Sequence, residues 1–229
     1  MSTTTTRSER TAARASSTSG TREGRERWES LQALAARNPA AAKARAFEWL
    51  RELDAPRHRD TLGFLFAQGT APESPDGDCE GIVMYLEGAP WLVGLDKAVR
   101  LGQWLGGIGW TGKSFDGARG TGFNRLTATS WPIALLVMPT YRFERRGSEI
   151  LGFHFHHAIE ASPVAPHGEV RSIRYDSPEH ANPLVLPRTR DELVELVPGV
   201  YLGRALLRTE GRFETVGYFG LRHPSRGGR

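Results

Sequence analysis

Cysteine, lysine and long apolar runs are all scarce in this 229-residue chain, and each shortage excludes something. The single Cys79 allows no intrachain disulfide, so nothing here is built for an oxidising compartment, and an inert buried thiol is the expectation for it. Only Lys43, Lys97 and Lys113 are lysine among 30 basic residues. No stretch approaches the ~20 apolar residues of a membrane-spanning helix. Excess positive charge is also scarce where it would matter. The net charge is +4, but residues 1–27 hold six Arg and three Glu, which leaves +1 for the remainder. Nucleic-acid binders carry a basic patch on the folded body, and this body is balanced. We therefore expect a soluble cytoplasmic protein with no nucleic-acid partner and no membrane span.

What is present suits one domain with appendages. Hydrophobic residues make up 39% of the chain, with six Trp, ten Phe and five Tyr, enough for a core. Residues 1–24, rich in Arg, Ser and Thr, have no apolar periodicity, and we expect a disordered tail. There is no apolar h-region of a secretory signal. Residues 25–70 read as a helical region packed on the main domain. Trp28, Leu31, Leu34 and Ala35 form a one-sided stripe, and Asn38-Pro39 both stops that helix and starts the next. The second helix carries Ala46, Phe47, Trp49, Leu50 and Leu53 to Pro56. The breaker cluster from Ala71 to Asp78 marks the boundary.

From 71 to 223 the texture becomes β, and residues 224–229 read as a disordered C-terminus. A strand is expected at Gly81–Leu86 and a helix over 92–105. Short apolar or alternating runs follow near 121–130, 132–144, 149–160, 169–176, 199–208 and 212–222. Turn residues separate them at the spacing of antiparallel sandwiches and barrels. The expected fold class is α+β and mainly β: an antiparallel barrel behind a short helical region.

Several residue groups could carry chemistry. In Phe153-His154-Phe155-His156-His157-Ala158-Ile159-Glu160, strand alternation puts His154, His156 and Glu160 on one face, opposite Leu151, Phe153, Phe155, His157 and Ile159. His154 and His156 are candidate acid–base groups lining a pocket. With Glu160 they are alternatively ligands for a divalent transition metal. The bland alternative is a polar outer face. Lys113 lies beside Trp110, as a desolvated amine or a surface lysine next to a turn. Arg204 alternates with Val200, Leu202 and Leu206, so if these face a core its guanidinium must be paired, by Asp176 or by a ligand. Asp191-Glu192 reads as the start of a helical turn. No G-x-S-x-G elbow and no P-loop spacing occur.

The blocks Gly102-x-Trp104-x-Gly106 and Trp110-x-Gly112-Lys113-x-Phe115 resemble the signatures of GXWXG-type bacterial proteins and, more loosely, the Gly-x-Trp of lipocalins. Gly122-Phe-Asn124-Arg125-Leu126, Asn182-Pro183 and Asp191-Glu192-Leu193 through Pro198-Gly-Val-Tyr201-Leu-Gly203 are similar in kind. The resemblance implies a calycin-like, lipocalin-like barrel binding a small hydrophobic or amphipathic molecule, with no cofactor. We expect Trp104, Trp110, Lys113, Tyr201 and Arg204 to contact that ligand. The spacing of His154, His156 and Glu160 resembles the first cupin motif and implies a cupin-like metalloenzyme as the alternative. Pro198-Gly199, where the second cupin motif would lie, is followed by no His before His223. An interaction protein docking through the basic tail is the remaining alternative.

Overall fold

The computed structural model describes residues 7–53, 56–73, 75–86, 109–130, 140–183 and 186–224. Helix α1 spans Arg7–Arg37. It therefore begins inside the stretch expected to be disordered to residue 24. The segment contains no proline, and Ala, Arg and Glu, all good helix formers, recur along it. The expected stripe is present, with Leu31 buried and Trp28, Leu34 and Ala35 packed beside it. Asn38 then caps α2 (Pro39–Glu52), its Oδ1 accepting the Ala41 N–H at 3.0 Å. A third helix, α3 (Arg59–Gln68), follows Pro56. The sequence reading did not separate it, although it buries Leu62, Leu65 and Phe66 on one face. No helix among the described residues is long and apolar enough to cross a membrane.

Among the described residues nine strands follow: β1 (Gly77–Leu86), β2 (Trp110–Asp116), β3 (Thr121–Thr127), β4 (Glu144–Arg146), β5 (Glu149–Ala161), β6 (Glu169–Arg174), β7 (Thr189–Val197), β8 (Val200–Thr209) and β9 (Arg212–Arg222). Their order is β3-β2-β1-β9-β8-β7-β6-β5-β4, with a further β3–β5 pairing that closes the sheet. Eight strands thus make a closed antiparallel barrel, and β4 is a short extension paired to β5. Two strands differ from the sequence reading. β2 occupies the Gly/Trp-rich stretch beside Lys113, and β7 contains Asp191-Glu192. The expected helix over 92–105, most of the run 132–144 and residues 225–229 lie outside the described residues.

The barrel has two cores. Its interior holds Phe115, Leu126, Ile150, Phe153, Phe155, Ile173, Leu193, Phe219 and Leu221. A second cluster lies between the outer wall and the helices, where Phe47, Leu50, Leu62 and Leu65 meet Met84, Val194, Leu202 and Tyr218. Each large side chain fully buried this way contributes about 1.5–3 kcal/mol, so the helical layer is integral to the fold. Val200–Leu207 of β8 is consequently buried on both faces, which erases the period-2 signal of a half-exposed strand.

Candidate functional site

Two β-bulges decide which side chains enter the barrel. In β2 the register with β3 shifts between Trp110 and Gly112. Gly112 has φ +141°, and a Cβ there would stand 1.9 Å from the Cys79 carbonyl oxygen, so only glycine fits. The extra residue turns Trp110 inward along with Lys113 and Phe115, and the indole lies over Gly81, where a Cβ would come within 2.4 Å of the ring. In β5 the register with β3 shifts opposite Phe153, whose φ is +52°. Ile150 and Phe153 both face inward as a result, and Phe155 and His157 continue on that side. The Phe153 N–H donates to the Tyr141 hydroxyl at 2.6 Å.

The inward Lys113 is the centre of a buried polar group. It is 2% exposed, where the sequence also allowed a surface lysine beside a turn. Its Nζ reaches Asp191 Oδ2 at 2.9 Å, Asn124 Oδ1 at 2.9 Å and the Tyr175 hydroxyl at 2.5 Å. Three acceptors for three N–H donors is the coordination of a satisfied ammonium. Tyr175 in turn donates to Asp191 Oδ2 at 2.8 Å, and Trp110 Nε1 donates to Asn124 Oδ1 at 3.0 Å. Asn124 Nδ2 completes the group by donating to the Phe153 carbonyl and the Tyr175 hydroxyl. The rings of Trp110, Phe155, Tyr175 and Phe219 surround Nζ at 5.3–5.8 Å from their centroids, within cation–π range. Burial holds the Lys113 amine below the ordinary lysine range, with the Asp191 carboxylate opposing that shift. Burial, reinforced by Asp191, pushes the Tyr175 phenol well above its usual value.

The barrel end where β5 turns into β6 is stoppered. Arg171 donates to the Pro72 and Glu73 carbonyls and to His157 Nδ1. His157 is therefore the inward histidine of the run, held below the ordinary imidazole range by burial and then by the Arg171 charge. Tyr201 also faces inward, 4% exposed, with its ring edge-on to His223 at 5.7 Å. Cys79 lies 3.5 Å from His223 Nδ1. Burial pushes its thiol up to about 12, which favours the protonated form.

The remaining expected residues face outward. Arg204 is fully buried beneath the helices, but its partner is Glu192 at 2.8 Å rather than Asp176 or a ligand. Ser162 Oγ and the carbonyls of Val164, Ala165 and Pro166 accept its other donors. His154 and His156 lie on the outer wall, because Phe153 and Phe155 take the interior. His154 packs against Phe123, and both imidazoles pack against His180. Glu160 shares their face but is engaged by Arg174 and Arg190, so the expected metal set of His154, His156 and Glu160 is not assembled. Trp104 lies outside the described residues. An outer cleft of about 200 Å³ is lined by Arg174, Asp176, Arg188, Arg190, Arg208 and Phe213. It is smaller than the roughly 300–1,000 Å³ of ordinary ligand pockets.

Of the expected ligand contacts, the fold joins Trp110 and Lys113 in one site, puts Tyr201 deeper in the same interior and removes Arg204 to the opposite face. Tyr175 and Asp191 stand in the sequence as polar residues near strand ends, and Asn124 in the Gly122–Leu126 block, but nothing local connects any of the three with Lys113. The signal for Asp191 was present in Asp191-Glu192-Leu193-Val194-Glu195-Leu196-Val197, which reads as a strand with Asp191 and Glu192 facing opposite ways. No family model, no curated protein and no solved structure matches this chain.

Proposed function

We propose that the barrel binds a small, mostly apolar molecule whose polar end is recognised by Lys113, Asp191, Tyr175 and Asn124. The observation that carries this reading is a charged lysine fully buried among aromatic rings inside the barrel. Replacing a buried ion pair by apolar residues of similar size is often neutral or stabilising, so stability alone does not account for one here. Buried ionisable groups with displaced pKa values mark functional sites more often than chance. Barrels of about eight strands suit enclosure of one small ligand, and the resemblance to calycin-like proteins supports the same reading.

The ligand's polar end meets the Lys113 group, and Trp110, Phe155 and Phe219 supply the apolar wall. Arg171 fills the end carrying the β5–β6 connection, so in this reading the ligand enters from the other. Tyr175 lies one residue past the end of β6, and Asp191 is the third residue of β7, so the group sits toward the end carrying the β6–β7 connection. His154 and His156 stand outside this site, so in this reading they do not touch the ligand.

Native mass spectrometry of the purified protein tests the proposal. We expect a small organic mass that is released on denaturation and is absent from a folded Lys113→Met/Asp191→Leu variant. A wild-type protein with no adduct, and with Trp emission unresponsive to a panel of amphipathic acids, amines and alcohols, would overturn it.

A further inference from the structure

We infer that the outer wall of the barrel carries a transition-metal site formed by His156, Glu179 and His180. The site is separate from the interior and uses a different donor set from the His154, His156 and Glu160 face that strand alternation suggests. One nitrogen from each histidine and one carboxylate oxygen all lie within 4.8 Å of one another. His156 Nε2 is 2.7 Å from Glu179 Oε1, and His180 Nε2 is 3.9 Å from the same oxygen. A tetrahedral ion with bonds of about 2.0–2.1 Å holds its donor atoms about 3.3 Å apart. The two present distances straddle that spacing, and with all three donor atoms within 4.8 Å of one another, side-chain adjustments of about 1.5 Å or less close the set.

The local backbone presents these donors together. His156 projects outward from β5 between the inward Phe155 and His157. Glu179 and His180 come from the 3-10 turn Pro178–His180, which ends at Ala181 with φ +45°. Asn182 anchors that turn to the barrel. Its Nδ2 donates to the His154 carbonyl at 2.7 Å and the Tyr175 carbonyl at 3.0 Å, and its Oδ1 accepts from Tyr141. Ser177 Oγ donates to Glu179 Oε1 at 3.0 Å and orients the carboxylate. Such supporting hydrogen bonds are typical of groups around metal ligands.

The electrostatics favour a metal over a second proton. The His156 and His180 rings stack at 4.8 Å, and His154 lies 5.7 Å from His180 on its other side. Three imidazolium groups this close would repel one another. His180 Nε2 is buried and makes no hydrogen bond, its nearest anionic atom being Glu179 Oε1 at 3.9 Å. Two imidazoles and one carboxylate suit Zn²⁺, Co²⁺, Ni²⁺ or Cu²⁺. Three protein donors leave a fourth position for water.

The test is calorimetric titration of Zn²⁺ and Co²⁺ into tag-free, EDTA-dialysed full-length protein near neutral pH, with the visible spectrum of the Co²⁺ form recorded alongside. We expect one ion per chain and a tetrahedral-type Co²⁺ spectrum. Affinity should fall about tenfold or more in His156→Ala and in His180→Ala, since loss of even a supporting partner costs 10–100-fold. Glu179→Gln should weaken binding in the same direction. Glu160→Gln and His167→Ala should bind as the wild type does. These are surface or half-buried positions, so far-UV circular dichroism should confirm that every variant folds. Absence of binding in the wild type, or affinity unchanged in both histidine variants, would overturn the inference.

Discussion

Asp191 and Glu192 are adjacent in β7, yet they face opposite sides of the barrel wall and each holds a buried cation. Outside, Arg204 is bound by Glu192, one hydroxyl and three backbone carbonyls from the connection between β5 and β6. Of those carbonyls only that of Val164 has a second donor among the described residues, Ser162 Oγ at 2.9 Å, so the guanidinium ties a loop to the wall, and it stacks over Phe66 at 4.2 Å. Inside, Lys113 is met only by side chains, and those chains also bond one another. Its removal with Asp191 would orphan no backbone group. The contrast separates a charge that organises the fold from a charge that the fold merely tolerates. The outer pair is a structural strut, whereas the inner group is the one we propose for recognition.

The outer half of this comparison breaks most readily at Arg204. Arg204→Met leaves the buried Glu192 with the Arg190 Nε contact at 3.1 Å and the Ser162 hydroxyl at 3.0 Å, and removes the guanidinium from three carbonyls. We expect a loss of about 3–5 kcal/mol, the usual cost of removing one member of a buried ion pair, measured by urea unfolding. A loss under about 1 kcal/mol would show that the outer pair is not a strut. The inner half depends on the bulge that aims β2. Gly112→Ala puts a Cβ against the Cys79 carbonyl at a strained φ, and we expect destabilisation of about 1–3 kcal/mol with altered Trp110 emission. Unchanged fluorescence would detach the bulge from the interior site.

A smaller effect concerns His157, the inward histidine. Its folded-state pKa lies below the ordinary 6.5, because burial and then Arg171 disfavour the imidazolium, with Asp116 partly opposing them. The unfolded chain therefore binds a proton at higher pH than the folded one. Stability should be intact above about 6.5 and should fall as pH drops below it. His223 and His180 are shifted the same way and add to the slope. Thermal melts should show a shallower acid-side loss in His157→Phe than in wild type. Parallel curves would mean that the imidazole is not held neutral by the interior.

The barrel was legible because short alternating runs with turn residues between them survive in β3, β5, β6 and β9. The helix junction at Asn38-Pro39 was legible because capping is local. Arg204 could be read as buried and paired, since Val200, Leu202 and Leu206 flank it at period two. Its partner could not, because Asp191-Glu192 suits a helix start as well as a strand. Lys113 was harder still. Its burial follows from Tyr175 and Asp191, 62 and 78 residues away, and from a bulge that no local pattern announces. For His154 and His156 the alternation was right, but the side was decided elsewhere. The interior of this barrel is lined by aromatics, so Phe153 and Phe155 take it and the histidines face out. His156 then meets Glu179 and His180 from a connection whose approach only the fold provides.

The most direct test of the difference between the two buried pairs is the unfolding free energy of Lys113→Met/Asp191→Leu in urea. Tyr175, Asn124 and Trp110 keep hydrogen bonds to one another in that variant, so no interior polar group loses every partner. We predict stability equal to wild type within about 1 kcal/mol, or higher, as apolar replacement of a buried pair commonly gives. A loss of about 3–5 kcal/mol, matching Arg204→Met, would show that both pairs are struts and would contradict the assignment of the interior group to recognition.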